Sequence, residues 1–327
     1  MSNVDQRAGS SGIDNRLAEV SQGSIVWNKT VYGLWVQSTL DLPELLPMRE
    51  NLSDYANAPS APSSPDIVIQ RGFVPEQFGP NPFIGAESNR LWLSIPNTVR
   101  MMIENGTHLT YAPAPGVPDD ALRLFILGSG LGALLVQRGY LVIHGNAVVH
   151  PSGSGALICV GPSGAGKSTT AVALMQRGLH VLSDDVCPVD SAGRVHPGMA
   201  RAKLWQDAAA ALDIDTEPLA RVRAQDAKFN LPLGTLHATS PQPIRAMFCL
   251  ETAETDHVST ARVSGMERFV AMRRALYRPE YLRALGLEAG SLERLAALAK
   301  DIPIYRVTRP KTGFTIAPLL DALLDNA

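Results

Sequence analysis

Hydrophobic positions follow two different patterns along the chain. Between Ile25 and Tyr111, short apolar runs rich in β-branched and aromatic residues alternate with turn residues, which is typical of β-strands. Further along, strand-like apolar runs alternate with helical segments, which indicates an α/β domain. The change of pattern at residues 112–120 predicts a smaller β-rich N-terminal unit over residues 23–111 and an α/β domain over residues 112–327.

Three segments have a more specific pattern. Residues 1–22 are polar and show no periodicity, so the sequence predicts a disordered tail there. The dipeptide Asn-Gly at 105–106, between two strand-like runs, predicts a β-hairpin. The apolar run over residues 124–136 is shorter than the ~20 residues that cross a bilayer. It therefore predicts a buried helix, which we expect to run from Asp119 to about Arg138.

Composition and charge narrow the range of functions. The 327 residues are 45% hydrophobic and 18% charged, which is enough apolar material for a substantial core. The formal net charge of −2 argues against a general nucleic-acid binder and against binding to anionic membranes. No secretory signal is apparent, and the cysteines show no CxxC spacing, so we expect a cytoplasmic protein. The cysteines are Cys159, Cys187 and Cys249.

The strongest chemical signal is the glycine-rich segment GPSGAGKS at residues 161–168. It matches G-x-x-x-x-G-K-[ST] and lies between an apolar strand-like run and a helical run, as a phosphate-binding loop requires. Its backbone N–H groups can turn towards phosphate oxygens, while Lys167 reaches the outer phosphates and Ser168 offers a hydroxyl to Mg²⁺. The alternative is a glycine-rich turn without function. The predicted nucleotide contacts are Gly161, Ser163, Gly164, Ala165, Gly166, Lys167, Ser168 and Thr169.

Two acidic residues and a histidine are further candidates. Asp184 and Asp185 follow the strand-like run LHVLS, so the sequence places them at the carboxyl end of a strand, where α/β sheets bind ligands. One carboxylate can hold Mg²⁺ and the other can orient or deprotonate a hydroxyl group. The alternative is a pair that belongs to a turn or caps a helix. His144 lies in the apolar run LVIHGNAVV, where a satisfied core histidine is the alternative to a functional one.

These residues resemble the catalytic domain of the HPr kinase/phosphorylase family. That family combines a His-Gly strand, a G-x-S-G-x-G-K-S loop and an Asp-Asp pair. Here they are His144 with Gly145, residues 161–168, and Asp184 with Asp185. Segments such as LDLPEL, PGMARAKLWQDAAAAL and IPIYRVTRP are similar to HPr-kinase-like serine kinases of bacterial peptide clusters, including the tailoring kinases of lasso-peptide biosynthesis. The resemblance implies a P-loop-containing, PEP carboxykinase-like α/β catalytic domain.

The resemblance also implies roles for single residues. Asp185 matches the family's catalytic carboxylate, which accepts the proton of the attacking serine. Asp184 matches its metal-side partner, which would hold Mg²⁺ together with Ser168, although the two carboxylates can exchange these roles. His144 matches the histidine that lies against the Asp pair and the transferring phosphate.

One part of the family pattern has no match. HPr kinases carry an acidic residue and an arginine on a later strand, in an E-x-R-G context, and the nearest counterpart here is the basic segment with Arg201 and Lys203. These two residues either contact a phosphate or the carboxylate of the substrate, or lie in a solvated turn. Without the longer motif, the reverse phosphorylase activity is not supported. Arg309, after the strand-like run IYRVT, is either a surface charge or faces the nucleotide.

The sequence therefore predicts an ATP- and Mg²⁺-dependent kinase that phosphorylates a serine hydroxyl of a peptide. The resemblance points to the C-terminal serine of a lasso-peptide precursor. Two alternatives stay open, namely a kinase of a small hydroxylated metabolite and a nucleotide-binding sensor without enzymatic activity. The N-terminal unit is the candidate for peptide recognition, because strand edges accept extended chains. HPr kinases form ring-like oligomers, so a homo-oligomer also stays open, whereas neither nucleic acid nor a membrane is expected as a partner.

Overall fold

The computed structural model describes residues 25–48, 64–223, 225–313 and 315–327. The predicted tail over residues 1–22 lies outside these ranges. The described residues form a mixed α/β structure whose sheets contain eight, seven and two strands. In this part of the chain, every helix is too short or too polar to cross a lipid bilayer.

The first sheet is built from the strands of the β-rich N-terminal part. Its strands are β1 (Trp27–Val31), β2 (Leu34–Ser38), β3 (Leu46–Pro47), β4 (Ile67–Arg71), β5 (Ile84–Glu87), β6 (Arg90–Ile95), β7 (Val99–Glu104) and β8 (His108–Pro113). They lie side by side in the order β3-β1-β2-β4-β8-β7-β6-β5. The predicted hairpin is confirmed, because Asn105 and Gly106 connect β7 to β8 with φ values of 56° and 67°.

A buried helical segment packs between this sheet and the next. It consists of α1 (Asp119–Phe125), one π-helical turn (Ile126–Gly130) and α2 (Leu131–Gln137). Residues 131–136 are all buried, since α2 contacts β7 of the first sheet and also β9 (Leu141–Val149), the first strand of the second sheet. The predicted buried helix is confirmed, although the apolar pattern gives no sign of the π-helical turn.

The second sheet carries the glycine-rich loop. Its further strands are β10 (Ala156–Val160), β11 (Val181–Val189), β12 (Arg194–Val195), β15 (Gln242–Ala253), β16 (Ser259–Arg262) and β17 (Ile304–Pro310). Strands β13 (Arg201–Trp205) and β14 (Lys228–Pro232) lie between β12 and β15 in the chain and form a separate two-stranded ribbon. Strand β9 pairs antiparallel with β10 and β11. Strand β15 pairs parallel with β10 and β17, so the glycine-rich loop follows a strand in the interior of the sheet.

The sequence places Asp184 and Asp185 at the end of a strand, and this prediction is wrong. Strand β11 continues to Val189, because its second half is apolar, buried and paired with β9. The carboxylates nonetheless lie level with the end of β10, since Asp185 and Val160 are both opposite Gly145 on β9. The pair is therefore next to the start of the glycine-rich loop.

The remaining helices cover both faces of the second sheet. They are α3 (Lys167–Gln176), α4 (Gln206–Ala211), α5 (Met266–Arg274), α6 (Pro279–Ala284), α7 (Glu288–Asp301) and α8 (Ile316–Asp325). On one face, side chains of α3, α4, α8 and the ribbon form a buried cluster. On the other face, a larger cluster joins the second sheet to α2, to α5–α7 and to the first sheet. The N-terminal strands and the α/β part thus share one core.

Candidate functional site

The glycine-rich loop between β10 and α3 has an open, cationic surface. Gly164 and Gly166 have φ values of 82° and 96°, a conformation that residues with a Cβ rarely adopt. The Nζ atom of Lys167 donates hydrogen bonds to the carbonyl oxygens of Gly161 (2.8 Å) and Pro162 (3.1 Å). A Cβ added at Gly164 would meet no heavy atom within 4 Å, so the loop faces open space there. This arrangement fits an anion such as a phosphate group.

Arg309, near the end of β17, holds the other side of the loop. Its guanidinium donates from Nε to the carbonyl oxygen of Ala165 (3.1 Å) and from Nη2 to that of Gly164 (3.3 Å). Of the two alternatives left by the sequence, a free surface charge is therefore excluded. The contact supports the shape of the loop and adds a positive charge beside it.

Helix α3 is fastened to the second sheet by Asn146 on β9. Asn146 is fully buried, and its Nδ2 atom donates a hydrogen bond to the carbonyl oxygen of Lys167, the first residue of the helix. Its Oδ1 atom has no hydrogen-bond partner among the described residues. Asn146 is missing from the sequence-predicted site, although an asparagine two positions after His144 in an apolar strand is a signal that could have found it.

Asp184 and Asp185 both reach the same lysine. The hydroxyl of Ser168 donates to Oδ1 of Asp184 (2.9 Å). The backbone N–H of Lys203 donates to Oδ2 of Asp184 (2.8 Å), and its Nζ donates to Oδ2 of Asp185 (2.7 Å). Consecutive side chains of a strand normally point to opposite faces. The φ value of 75° at Asp185 interrupts this alternation, and both carboxylates therefore lie beside Lys203.

The pKa values of the two carboxyl groups are shifted in opposite directions. Burial raises the pKa of Asp184, and the charge of Asp185 raises it further. Burial also acts to raise the pKa of Asp185, but the charge and hydrogen bond of Lys203 help to outweigh it, and the pKa falls to about 2. Neighbouring acids whose pKa values are pushed apart are typical of catalytic sites.

His144 lies on β9 beside this pair. Its Nδ1 atom is 3.0 Å from the carbonyl oxygen of Asp185 and 3.4 Å from Oδ1 of the same residue. Because a carbonyl oxygen only accepts, Nδ1 carries the proton in this hydrogen bond. The side chain is 40% exposed, and its ring packs against Tyr277 at a centroid distance of 5.9 Å. His144 is thus not a buried core residue, and its ring is accessible to a ligand.

One face of the β13–β14 ribbon is cationic. Alternate residues of a strand share a face, and the register places Arg201 and Lys203 on the same face as Lys228 and Asn230 of the partner strand. Arg201 donates to the side-chain oxygen of Asn230, while Lys203 binds Asp185. Arg201 and Lys203 therefore lie on a strand beside the Asp pair rather than in a solvated turn. Lys228 is a further member of this face that was not predicted from the sequence.

A cavity lies at each end of β13. The first, between Tyr32 and Arg201, is also lined by the Asp pair and has a volume of about 10 Å³, which is room for about one water molecule. The second, of about 210 Å³, lies between α4 and α8 beside Thr169 and Arg309. We call them the acceptor-side cavity and the loop-side cavity. The carboxylates line the first, and the end of the glycine-rich loop lines the second.

Ser168, at the start of α3, and Asp184, on β11, fit a magnesium ion. In nucleotide sites Mg²⁺ is held by one or two protein oxygen ligands together with phosphate oxygens and water. The hydroxyl of Ser168 and the carboxylate of Asp184 supply such oxygens, 2.9 Å apart. Within the described ranges, no group of three or more His, Cys, Asp or Glu side chains is placed to hold a metal ion. The donor set therefore suits a cation that is bound together with a phosphate.

Comparison with known proteins gives a distant structural likeness. No family model matches the sequence, and no curated protein matches it. Among solved structures, the Hpr(Ser) kinase/phosphatase from Coxiella burnetii is similar over 56% of this chain and 93% of its own. The sequence identity is 12% and the TM-score is 0.29. The function is therefore argued from the site itself.

Proposed function

We propose that the protein is an HPr-kinase-like phosphotransferase that transfers a phosphoryl group from ATP to a serine hydroxyl of a peptide. One observation carries this proposal. Ser168, at the start of α3, is hydrogen-bonded to Asp184, and Lys203 joins Asp184 to Asp185. Phosphoryl transfer needs a phosphate cradle, cations around the phosphate and a base for the hydroxyl. In this network Ser168 belongs to the phosphate cradle, Lys203 supplies a cation and Asp185 is the base.

The nucleotide phosphates bind at the glycine-rich loop. Its N–H groups and the positive end of α3 face the phosphates, and the ammonium group of Lys167 moves from the loop carbonyls to the outer phosphates. The nucleoside occupies the loop-side cavity, beside Thr169. Its volume of about 210 Å³ exceeds the roughly 150 Å³ that accommodates a benzene ring, so a purine can enter. The carboxylate of Asp207, in the lining, is an acceptor for ribose hydroxyls.

Ser168 and Asp184 would hold Mg²⁺. When bound, the ion neutralises charge on the β- and γ-phosphates. The pKa of Asp184 is raised by burial and by the neighbouring charge of Asp185, both of which a bound cation would offset. Charge neutralisation by a cation at this position would therefore favour the ionised form of Asp184.

The acceptor hydroxyl attacks the γ-phosphorus atom from the side of Asp185. A bond forms between the hydroxyl oxygen and phosphorus, the bond from phosphorus to the β–γ bridging oxygen breaks, and ADP leaves with that electron pair. Asp185 accepts the hydroxyl proton. While Lys203 holds Asp185, this carboxylate is a weak base. The γ-phosphate draws the ammonium group of Lys203 to its own oxygens, which frees Asp185, and His144 keeps Asp185 oriented.

The acceptor is a serine of a peptide, and the C-terminal serine of a lasso-peptide precursor is the specific substrate that we propose. The support for this choice is the sequence resemblance. The first sheet is the proposed recognition surface, since its edge strands β3 and β5 can pair with an extended chain. Neither nucleic acid nor a membrane takes part, and assembly of several chains is compatible with this proposal.

A kinase of a small hydroxylated metabolite is the second candidate. It is favoured by the acceptor-side cavity, which has room for about one water molecule. Such a space admits a single terminal oxygen of an acceptor, such as that of a small hydroxy acid or of the end of a peptide, whereas an internal serine of a folded partner would need the cavity to open.

Mass spectrometry tests the proposal. Peptides that end in or contain serine, and small hydroxy acids, are incubated with the protein, ATP and Mg²⁺. We expect a mass gain of one phosphate with the wild-type protein and none with Asp185→Asn, which should still bind ATP. Asp120→Asn, an exposed carboxylate at the start of α1, is the control and should retain the activity. ATP binding without transfer to any acceptor would contradict the kinase and favour the nucleotide-binding sensor.

A further inference from the structure

The N-terminal sheet reaches the catalytic groups through one hairpin tip. Tyr32, in the two-residue turn between β1 and β2, is only 2% exposed and lines the acceptor-side cavity together with the Asp pair. Its backbone N–H donates to the carbonyl oxygen of Pro197 (3.0 Å), and its carbonyl oxygen lies 3.1 Å from Nδ1 of His196. The tip is therefore fastened to the segment that leads into β13.

The backbone at Tyr32 is in a conformation that its residue type disfavours. Its φ value is 57°, followed by 76° at Gly33, as in turns that prefer Asn, Asp or Gly at both positions. A bulky side chain with positive φ is an outlier, and such strain clusters at functional sites. Asparagine would suit the turn better, whereas the aromatic ring of Tyr32 is buried and forms part of the cavity wall.

Arg201, on the other side of the cavity, is a largely buried cation with neutral partners. Its guanidinium donates to Asn230 and contacts the sulfur atom of Met199 at 3.4 Å. Its Nε atom is buried without a hydrogen-bond partner among the described residues. Three acids lie near enough for their charges to act on Arg201, namely Glu44, Asp184 and Asp185. Glu44 pairs through Oε1 with Arg123 (3.2 Å), while its Oε2 atom has no hydrogen-bond partner among the described residues, and the Asp pair contacts Ser168 and Lys203. A guanidinium without a direct ion pair, beside a small cavity, is a binding position for an anion.

We propose that the acceptor-side cavity binds a carboxylate group of the acceptor, with Arg201 as the cation and Tyr32 as the wall that closes the site. The inference rests on the proposed kinase function. A carboxylate oxygen takes the place of the single water molecule for which there is room and accepts a hydrogen bond from Nε of Arg201. Arg201 and Lys203 lie two residues apart on β13, about 7 Å, and Lys203 contacts Asp185. The acceptor hydroxyl and its carboxylate are therefore separated by a few bonds, as in a peptide that ends in serine or in a small hydroxy acid.

Matched acceptors test this inference on the full-length protein with ATP and Mg²⁺. They are a peptide with C-terminal serine as the free acid, the same peptide as the amide, the same peptide extended by one residue, and N-acetylserine. We expect kcat/KM for the free acid to exceed that for the amide by about 30-fold or more. Transfer to N-acetylserine at the rate of the peptide acid would identify the small hydroxy acid as sufficient. If only the peptide acid is phosphorylated, and N-acetylserine is not, then other residues of the peptide must also be recognised by the protein.

Three variants at the cavity and one control variant outside it locate the effect. In Arg201→Gln the ratio of kcat/KM for the acid to that for the amide should fall to near 1. In Arg201→Lys, which keeps the positive charge but loses the planar guanidinium donors, the ratio should fall to an intermediate value. Tyr32→Asn should also lower the ratio, and its melting temperature should fall, because the loss of a buried aromatic ring outweighs the better fit of asparagine to the turn. Arg177→Gln, which removes an arginine that pairs with Asp321 (2.7 Å) away from the cavity, is the control and should leave the ratio unchanged. If a variant does not fold, the acid-to-amide ratio of kcat/KM for the wild-type protein still tests the carboxylate site.

Two outcomes separate the failure of this inference from that of the kinase. Equal use of acid and amide by the wild-type protein would overturn the carboxylate site and leave the kinase standing. If neither peptide is phosphorylated, the proposed kinase function is wrong. Equilibrium binding of the labelled acid and amide peptides then tests the carboxylate site of the acceptor-side cavity independently. Equal affinity for the two would overturn the inference, whereas preference for the acid that is lost in Arg201→Gln would support it.

Discussion

The ammonium group of Lys203 lies 2.7 Å from a carboxylate oxygen of Asp185, while the backbone N–H of the same residue donates to Asp184 at 2.8 Å. One residue of the ribbon therefore binds both acids of the site. The backbone contact does not depend on the side chain, so substitution of Lys203 removes the charge next to Asp185 and leaves the hydrogen bond to Asp184 in place. The two functions of this lysine can be separated by mutation.

Replacing Lys203 by methionine should lower kcat about 100- to 1000-fold, because the cation that moves to the transferring phosphate in the proposed mechanism is lost. The KM for ATP should change little. Without the charge of Lys203, the pKa of Asp185 rises from about 2 towards the usual value of about 3.9. Asp185 then becomes protonated at a higher pH, and the acid limb of the profile of kcat/KM against pH should move upward. Steady-state kinetics between about pH 2.5 and pH 9 measure both effects, since the displaced acid limb lies near and below pH 4.

Two variants serve as controls for Lys203. Lys203→Arg keeps a positive charge at this position and should retain more activity than Lys203→Met. Lys228→Met removes a nearby charge from the same face of the ribbon and should have the smaller effect, because Lys228 acts on Asp185 through its charge alone. Full activity of Lys203→Met would contradict a role of this lysine in phosphoryl transfer.

A second prediction concerns the close approach of β9 and β10 at Gly145. A Cβ added there would lie 2.6 Å from the carbonyl oxygen of Cys159, so Gly145→Ala must push the two strands apart. We expect a loss of about 1–3 kcal/mol in the free energy of unfolding, measured by urea denaturation. Gly290→Ala is the matched control, because Gly290 lies in the exposed part of α7 with no heavy atom within 4 Å of the added Cβ. That variant should gain roughly 0.5–1 kcal/mol.

A third prediction tests the loop-side cavity as the nucleoside site. Ala208, on α4, lines the cavity, and Ala208→Leu should fill part of it and weaken ATP binding about tenfold, which is 1.4 kcal/mol. Binding of inorganic tripolyphosphate, which lacks the nucleoside, should be unchanged when both ligands are titrated by calorimetry. Ala210→Leu, at an exposed position of the same helix, should bind ATP like the wild-type protein. Unchanged ATP affinity of Ala208→Leu would place the nucleoside elsewhere.

A fourth prediction concerns the dependence of stability on pH at Asp190, which follows β11. Its carboxylate accepts hydrogen bonds from the backbone N–H groups of Ala192 and Arg194, and its other oxygen contacts the Arg194 and His196 side chains. Burial raises the pKa of Asp190, but these hydrogen bonds outweigh it and lower the pKa to about 2.

The folded-state pKa of Asp190 is therefore below the unfolded value of about 3.9. Its ionised form stabilises the fold above pH 4, by about 2 kcal/mol, and this contribution is lost as the pH falls from 4 to 2. The difference in unfolding free energy between the wild-type protein and Asp190→Asn should be largest at neutral pH and shrink below pH 4. A difference that stays constant between pH 7 and pH 3 would rule out the ionised carboxylate as its cause.

The part of the site that could be predicted from the sequence is the part built from contiguous residues. A phosphate-binding loop needs glycines, a lysine and a hydroxyl at fixed spacing, so the segment that ends in Lys167 and Ser168 is visible without a structure. Strands β9 and β10 were also visible, because their apolar runs are buried in the interior of the sheet. The prediction that Asp184 and Asp185 lie beside the glycine-rich loop was correct, whereas the prediction that their strand ends there was wrong.

The rest of the site depends on tertiary packing, which leaves no local pattern. Tyr32 belongs to a hairpin of another sheet, and its aromatic side chain is not a typical turn residue. The left-handed backbone of Asp185, which brings its carboxylate to Lys203, has no sequence signal either, because aspartate tolerates several conformations. Arg201 and Lys203 were found only through the nearest counterpart of a family motif, and Asn146 was not found at all.

The core that joins the first sheet, α2 and the second sheet has a consequence for how the protein denatures. Val36, Met101, Leu134 and Ile143 belong to one buried cluster, although they come from both predicted units. Neither part can lose its structure without exposing apolar surface of the other, so we expect a single cooperative melting transition rather than two. A chain truncated before α1 should aggregate, and exchange of the N-terminal strands between related proteins should succeed only when α2 is exchanged with them.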